Sequence, residues 1–449
     1  MRSTRQQRAW YWYDWANSAY VTTTATVILG PYLTSLATRA ACPDVPSGQV
    51  CTTPVSLLGV SVLPGAVHPF LVTISTIITL VALMLVGVVA DRSPRPQLWL
   101  GGLAWVGAVA ASLMFFLADA NWQLGAVLMI IANLGIGSSQ VVYDGILVRI
   151  AEPDDRDRVS SRGWALGYLG GGLLLALNLV LMTGYESFGI SYGLAIRLSL
   201  LSAGLWWGLF TIIPVVGLRS LPARALDEQE LRATVRTNPL RQLANTFADL
   251  RNYPQTLLFL AAYLFYNDGI QTVIGQSSLY AQSELGMATA NVMITFLVTQ
   301  FVAFGGALLF GRVAARLGAK LTVLIGIAIW FGVVAVAFFL PAGVFGGLLA
   351  LGASIGFVMG GTQALSRSMY SQLVPKGRES EYFSFYQAMD RGTSWLGTLS
   401  FALVFQFSQS YRYAILAVVV FFLVGGLLLT RVDMRRGILE AGNELPKVL

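Results

Sequence analysis

Charge is scarce in this chain. Asp, Glu, Lys and Arg make up 11% of its 449 residues, against 55% apolar ones. A soluble protein of this size cannot bury that much apolar surface, so the solvent is mostly lipid. Histidine is almost missing: His68 is the single one, beside Pro69 at the outer start of an apolar run. It reads as an interfacial residue, with pH sensing as the alternative. One histidine leaves no nucleophile–histidine pair and little acid–base chemistry. The only two cysteines, Cys42 and Cys51, share one loop. Without further ligands they do not make a metal set; a local disulfide is expected if that loop faces an oxidising compartment. There is no nucleotide loop, zinc ligand set or soluble catalytic domain, so neither an enzyme nor a cofactor is expected. A signalling receptor is disfavoured by a tail that is short and plain.

What is present is a series of long apolar runs. Twelve are about 20 residues long, enough for a bilayer core of about 30 Å. They centre near residues 24, 79, 107, 135, 173, 204, 268, 301, 330, 358, 394 and 421. Arg2, Arg5 and Arg8 lead into a first run too long for a cleavable signal peptide. The formal charge of +7 suggests nucleic acid only until it is located. All but four of the 29 Lys and Arg (Arg39, Arg197, Arg391 and Arg412) fall in alternate connections on the side of the N-terminus. That asymmetry predicts inside termini in a plasma (inner) membrane and no nucleic-acid partner. The predicted organisation is an N-terminal six-helix bundle over 1–216, a cytoplasmic linker over 217–255, a second bundle over 256–432 and a short cytoplasmic tail over 433–449. Leu240, Leu243, Phe247 and Leu250 give the linker an amphipathic helical spacing, read as a tether on the inner membrane face.

The halves repeat. Gly87-Val-Val-Ala-Asp91-Arg92-Ser-Pro-Arg95 returns, degraded, as Gly311-Arg-Val-Ala-Ala315-Arg316-Leu-Gly318-Ala-Lys320, half a chain later. Duplicated halves around a central site are a common plan of secondary transporters. Intramembrane polar residues, costly in hydrocarbon, concentrate in spans 1, 4, 7 and 10. Span 1 carries Tyr13, Asn17, Tyr20 and Thr24 on one helical face, with Asp14 beside it. Span 4 carries Asn133, Gly137, Gln140 and Asp144 at the same spacing. Span 7 carries Tyr263, Asn267, Asp268 and Gln271; span 10 carries Gln363 and Arg367; span 11 adds Gln387, Asp390 and Arg391. The repeat predicts one shared polar cavity. Asp268, Asp390 and Arg391 lie near mid-bilayer and either face that cavity or pair with one another. Asp14 and Asp144 lie nearer the cytoplasmic ends of their spans. They read as interfacial ion-pair partners, with Arg149 or Arg367, or as a gate.

Twelve spans in two halves with Gly-x-x-x-Asp-Arg-x-x-Arg at 87–95 resemble the major facilitator superfamily. The resemblance implies an all-α integral membrane fold of twelve transmembrane helices in two pseudo-symmetric six-helix bundles, usually a monomer. It also implies that Gly87, Asp91, Arg92, Arg95 and Arg316 belong to a latch between the cytoplasmic ends. Pro94 stands where a glycine is usual, and Ala315 leaves the second copy without its acid. Five strings are similar to the vacuole-effluxer-like branch, named after a fungal autophagy-related amino-acid exporter. They are Tyr13-Asp-Trp-Ala-Asn-Ser-Ala-Tyr20, Ser160-Ser-Arg-Gly-Trp-Ala-Leu-Gly-Tyr-Leu-Gly-Gly-Gly172, Tyr266-Asn-Asp-Gly269, Gln363-Ala-Leu-Ser-Arg367 and Asp390-Arg-Gly-Thr-Ser-Trp-Leu-Gly397. Asp144 stands where that branch more often has asparagine, which leaves the charge of the solute open.

The expected function is secondary active transport of a small polar or zwitterionic, amino-acid-like solute, by alternating access and in the efflux direction the resemblance implies. Arg391 is expected to hold a carboxylate, since a planar guanidinium fork matches one. Asp268 or Asp390 is expected to meet the ammonium. Asn17, Tyr20, Gln140, Asn267, Gln271 and Gln363 complete the expected site. Proton coupling is a secondary expectation, with Asp268 as first candidate and Asp390, Asp144 and Asp14 behind it. The competing reading is an exporter of amphiphiles, lysolipids or drugs, suggested by aromatic residues around the cavity.

Overall fold

The computed structural model describes residues 3–43, 51–221, 245, 248–392, 394–408 and 410–449. The first helical rod comprises α1 (Arg5–Ala19), a π-helical stretch (Tyr20–Ile28) and α2 (Leu29–Ala41). Then follow α3 (Pro64–Asp91), α4 (Pro96–Leu113), α5 (Trp122–Ile150), α6 (Arg156–Thr183) and α7 (Tyr192–Gly217). The second half has α8 (Pro254–Ser283), α9 (Thr289–Leu317), α10 (Ala319–Phe339), α11 (Phe345–Gln372), α12 (Glu379–Gly392), α13 (Ser394–Ser408), α14 (Tyr411–Arg431) and α15 (Met434–Glu440). Proline opens α3, α4 and α8, where its missing N–H would have no partner in any case.

Among the described residues ten helices, α3 to α11 and α14, are long and apolar enough to cross a membrane. Twelve were expected, and the other two positions are filled differently. The first is interrupted by the π-helical stretch, and the eleventh is carried by α12 and α13, of 14 and 15 residues. The fold is all-α and membrane-embedded. Val81, Leu177 and Leu209 stand about 60% exposed on outward helix faces, an arrangement stable in lipid and costly in water.

The buried apolar side chains form two main cores. One runs from Trp10 to Leu221 and the other from Leu250 to Ile438, the second also taking in Tyr168. Of the expected amphipathic linker stripe, Leu250 is buried in the second core, while Leu240, Leu243 and Phe247 lie outside the described residues. The tail is packed rather than plain. Ile438 is buried, Asn443 donates to the carbonyls of Gln372 and Val374 at 2.8 Å, and Lys447 pairs with Asp154 of the first half at 3.3 Å. In the loop after α2 Cys42 and Cys51 are joined by a disulfide, with Cα atoms 6.1 Å apart. An unanticipated hairpin follows, β1 (Val55–Leu57) with β2 (Val60–Val62). Its turn residues Leu58 and Gly59 both have positive φ, as a two-residue turn that matches strand twist requires.

The two repeat copies make equivalent crossings between halves. A side chain at Gly87 would meet the Ser380 carbonyl of α12 at 2.7 Å, and one at Gly311 would meet Ser161 of α6 at 2.7 Å. Glycine allows both pairs of helices to close.

Candidate functional site

A cavity of about 470 Å³ lies between the halves. Among the described residues, Tyr168 and Gln363 bond across the halves in the cavity wall, while the bonds of Asp91, Arg156, Ser160 and Arg367 join the halves between the cavity and the face that carries both termini. The cavity extends the other way, towards the helix ends remote from the termini, at Thr26, Val27, Ala281, Val292 and Leu348. The polar closure thus lies on the terminal side of the cavity, while α6 and α9 remain packed beyond it, a side chain at Gly172 falling 3.2 Å from Gln300.

The closure is built on three elements. Asp91 at the end of α3 accepts from the backbone N–H groups of Ser380 at 2.9 Å and Glu381 at 2.8 Å. It therefore caps the N-terminus of α12, where unpaired amides and the helix dipole favour an anion. Arg92 is partly buried beside it; Arg95 is exposed at the start of α4, and Arg316 is exposed on α9. A second layer pairs α6 with α11: Arg156 donates to the Ser371 carbonyl at 2.7 Å, Ser160 to that of Ala364 at 2.7 Å, and Ser368 to Asp157.

The third element forms the floor of the cavity. Arg367 of α11 reaches Asp14 of α1 at 3.2 Å and Asp144 of α5 at 3.3 Å. It also donates to Ser160 Oγ at 2.9 Å and to the Ser160 carbonyl at 3.1 Å. Its guanidinium carbon lies 4.8 Å from the Trp10 ring centroid and 5.4 Å from those of Tyr143 and Trp164. All three charged residues are at most 4% exposed. Tyr143 donates to Asp14 at 2.7 Å and Gln387 donates to Asp144 at 2.7 Å. Gly163 lets α6 come this close, since a side chain there would meet Asp14 Oδ2 at 2.6 Å. Asp14 and Asp144 thus pair with Arg367, one of the two arginines considered from sequence. That a single arginine would serve both acids could not be read from spacing along separate helices.

Above the floor, Asp390 of α12 accepts from Tyr263 at 2.8 Å, Asn267 at 2.8 Å and Gln271 at 3.5 Å, all on α8. Arg391, the next residue, lines the cavity and approaches α5 near Gly137. Among the described residues no carboxylate lies within ion-pair reach of it, and its one side-chain hydrogen bond goes to Gln387 at 3.2 Å. Asn17, Gln140, Gln271 and Gln363 line the cavity as well. Gln363 accepts from Tyr168 at 2.6 Å, and Gln140 Oε1 is buried without a partner among the described residues.

Three candidates lie elsewhere. Tyr20 is 1% exposed, stacks on Trp207 at 5.3 Å and stands behind the wall, donating at 3.1 Å to Asn133, which itself lines the cavity. The π-helical stretch begins at this residue. The cavity-facing stripe of the rod runs through Asp14, Asn17, Ser18 and Val21 with Asn17 at its edge, so Tyr13 and Tyr20 fall on the far side of Asn17; beyond Tyr20 the wider π turn accompanies Thr22 and Thr26 at the cavity. Asn267 serves Asp390 from behind the cavity wall. Asp268 is 1% exposed and faces α13, where it accepts the Gly397 N–H at 2.7 Å. One helical position, about 100° of rotation, separates it from the cavity-facing side of α8. The sequence reading missed the contributions of Tyr168, Trp164, Thr79 and Gln300 to the lining. Trp164 and Tyr168 were visible only as parts of a family string.

Comparison with known proteins agrees with this architecture. Residues 2–442 match the family described as vacuole effluxer Atg22 like. The chain is 29% identical to the uncharacterized MFS-type transporter YxiO of Bacillus subtilis, with 99% of each chain covered. It is 25% identical to autophagy-related protein 22-2 of Emericella nidulans, over 87% of this chain and 81% of that one. Among solved structures it resembles the major facilitator superfamily proton:xylose symporter XylE, with a TM-score of 0.66 at 13% identity, covering 95% and 93% of the two chains. It also resembles a bacterial homologue of the iron transporter ferroportin in an outward-facing state, with a TM-score of 0.65 at 14% identity, covering 95% and 98%. At such identities the structural likeness establishes the fold alone. Family and fold together make this a multi-pass secondary transporter of small molecules and not an enzyme. The chain belongs to the vacuole effluxer Atg22-like family of the major facilitator superfamily.

Proposed function

We propose that this transporter moves a small zwitterionic, amino-acid-like solute by alternating access, as a monomer in the plasma (inner) membrane with both termini cytoplasmic. The observation that carries the reading is Arg391: a cavity-lining guanidinium without an acidic partner among the described residues. A carboxylate is its natural ligand, because two parallel N–H···O bonds match the fork. Gln140, with an oxygen unpartnered among the described residues, and Gln271 supply neutral contacts. The solute's ammonium goes towards Asp390 or to the floor acids. Asp268, turned to α13, is not part of this contact.

Charge counting supports proton coupling at the floor. Asp14, Asp144 and Asp390 line the cavity with Arg367 and Arg391, three acids to two arginines. A proton on Asp14 or Asp144 balances the set, and its release would accompany parting of the Arg367 pairs. Asp144→Asn should then weaken the response to a pH gradient, while Asp268→Asn should keep it.

The amphiphile-exporter reading rests on the second half's wall, where Ile274, Val333, Val334, Leu351 and Ile355 are apolar. Counterflow of a labelled amino-acid panel into proteoliposomes separates the two, with Arg391→Ala beside the wild type. Saturable exchange of a few zwitterions, lost in the variant, supports the carboxylate site. No amino-acid exchange by folded protein, or exchange that survives Arg391→Ala, overturns it.

A further inference from the structure

Gln387 sits between the candidate solute anchor and the closed floor. On α12 it is one turn before Arg391 and accepts from Arg391 Nε through Oε1 at 3.2 Å. Through Nε2 it donates to Asp144 Oδ2 at 2.7 Å. Asp144 in turn holds Arg367 at 3.3 Å, and Arg367 holds Asp14 at 3.2 Å. A single amide therefore joins Arg391 of the cavity to the ion cluster that ties α11 to α1 and α5. Its orientation is dictated by its neighbours. Turning the amide over would face Nε2 to a guanidinium and Oε1 to a carboxylate, donor against donor and acceptor against acceptor. Gln387 is 6% exposed, so water does not readily replace either bond.

We propose that Gln387 is the positioning residue through which the state of Arg391 sets the strength of the Asp14–Arg367–Asp144 closure. Bonds in series polarise one another: a guanidinium at Oε1 makes the amide Nε2 a better donor to Asp144. While Arg391 holds Gln387, Asp144 is well oriented for Arg367. When Arg391 turns to an incoming carboxylate, Gln387 loses that support and the floor weakens. The statement about the carboxylate rests on the proposed zwitterion site; the link between Arg391 and the floor does not.

The link is therefore tested without solute, by a double-mutant cycle. Spin labels at Glu152 and Lys376, exposed on the terminal face of opposite halves, report the fraction of molecules parted there. Full-length protein in nanodiscs is compared as wild type, Arg391→Ala, Gln387→Leu and the double variant. Arg391→Ala alone is expected to raise the parted-to-closed ratio several-fold. In the Gln387→Leu background the same change should alter it less than twofold. Gln387→Glu provides a second arm: its carboxylate still accepts from Arg391 but cannot donate to Asp144, so it should open the floor at least as far as Gln387→Leu. Equal effects of Arg391→Ala in both backgrounds, or no effect in either, would overturn the link. Failure of amino-acid counterflow would leave this cycle intact, so the two proposals fail separately.

Discussion

Two arginines border the same cavity and have opposite surroundings. Arg367 has two carboxylates, a serine hydroxyl, a backbone carbonyl and three aromatic rings around its guanidinium. Arg391 has, among the described residues, one glutamine oxygen. Burying a charge is tolerable when partners replace water, so the Arg367 cluster is finished as a piece of structure. Arg391 retains donors at the cavity, which is the basis of its proposed role. Cost alone would have marked both as equally significant; their partners separate a completed ion cluster from the residue proposed as the anchor.

Removing the finished arginine should have the largest effect. Arg367→Gln strands two buried acids, and losing one member of a buried ion pair costs about 3–5 kcal/mol. Thermal unfolding in detergent should show a clear drop, partly reversed by adding Asp14→Asn and Asp144→Asn. A variant as stable as wild type would mean that the acids are already neutral. Arg391→Ala should leave the unfolding midpoint nearly unchanged while the half-saturating solute concentration rises by about 30-fold, equivalent to about 2 kcal/mol of lost charged hydrogen bonding. A large fall in stability instead would place Arg391 with Arg367 as structure.

Asp390→Asn tests the intermediate case. It keeps an oxygen for Tyr263 and Asn267 but loses the charge that strengthens those bonds, about 1 kcal/mol. Stability should fall modestly, with exchange kinetics affected less than in Arg391→Ala. Asp91→Asn should be the mildest. An acid at a helix N-terminus is worth about 1 kcal/mol at most sites, so the parted-to-closed ratio should rise about fivefold in spin-label distances. An unchanged ratio would show that close packing at Gly87, rather than charge, holds that crossing.

Much of this was legible along the chain. The repeat predicted one shared polar cavity; that Gly87 and Gly311 both stand where helices from opposite halves touch emerged only in the structure. The polar residues of Asn17, Gln140, Gln271 and Gln363 do share one cavity. Tyr20 was misplaced because spacing put Asn17 at the centre of a face, whereas the cavity runs along Asp14, Ser18 and Val21 and leaves Tyr20 on the other side of Asn17. Asp268 was favoured because it is charged and central, but charge and depth say nothing about azimuth. Its neighbour Gln271 faces the cavity while Asp268 accepts from Gly397 on α13.

Local chemistry determines what a membrane chain must do: long apolar runs become helices because backbone polar groups cannot go unpaired in lipid. Sequence therefore sufficed for the helical membrane fold, the duplicated halves and the list of polar residues that must avoid lipid. Which polar residue meets which was decided only in three dimensions. Asp14, Asp144 and Arg367 are separated by more than a hundred residues at each step, and nothing in their spacing makes one arginine serve both acids. Partner choice among buried charges depends on distances of a few ångströms between separate helices, and those distances are set by the packing of every residue between them.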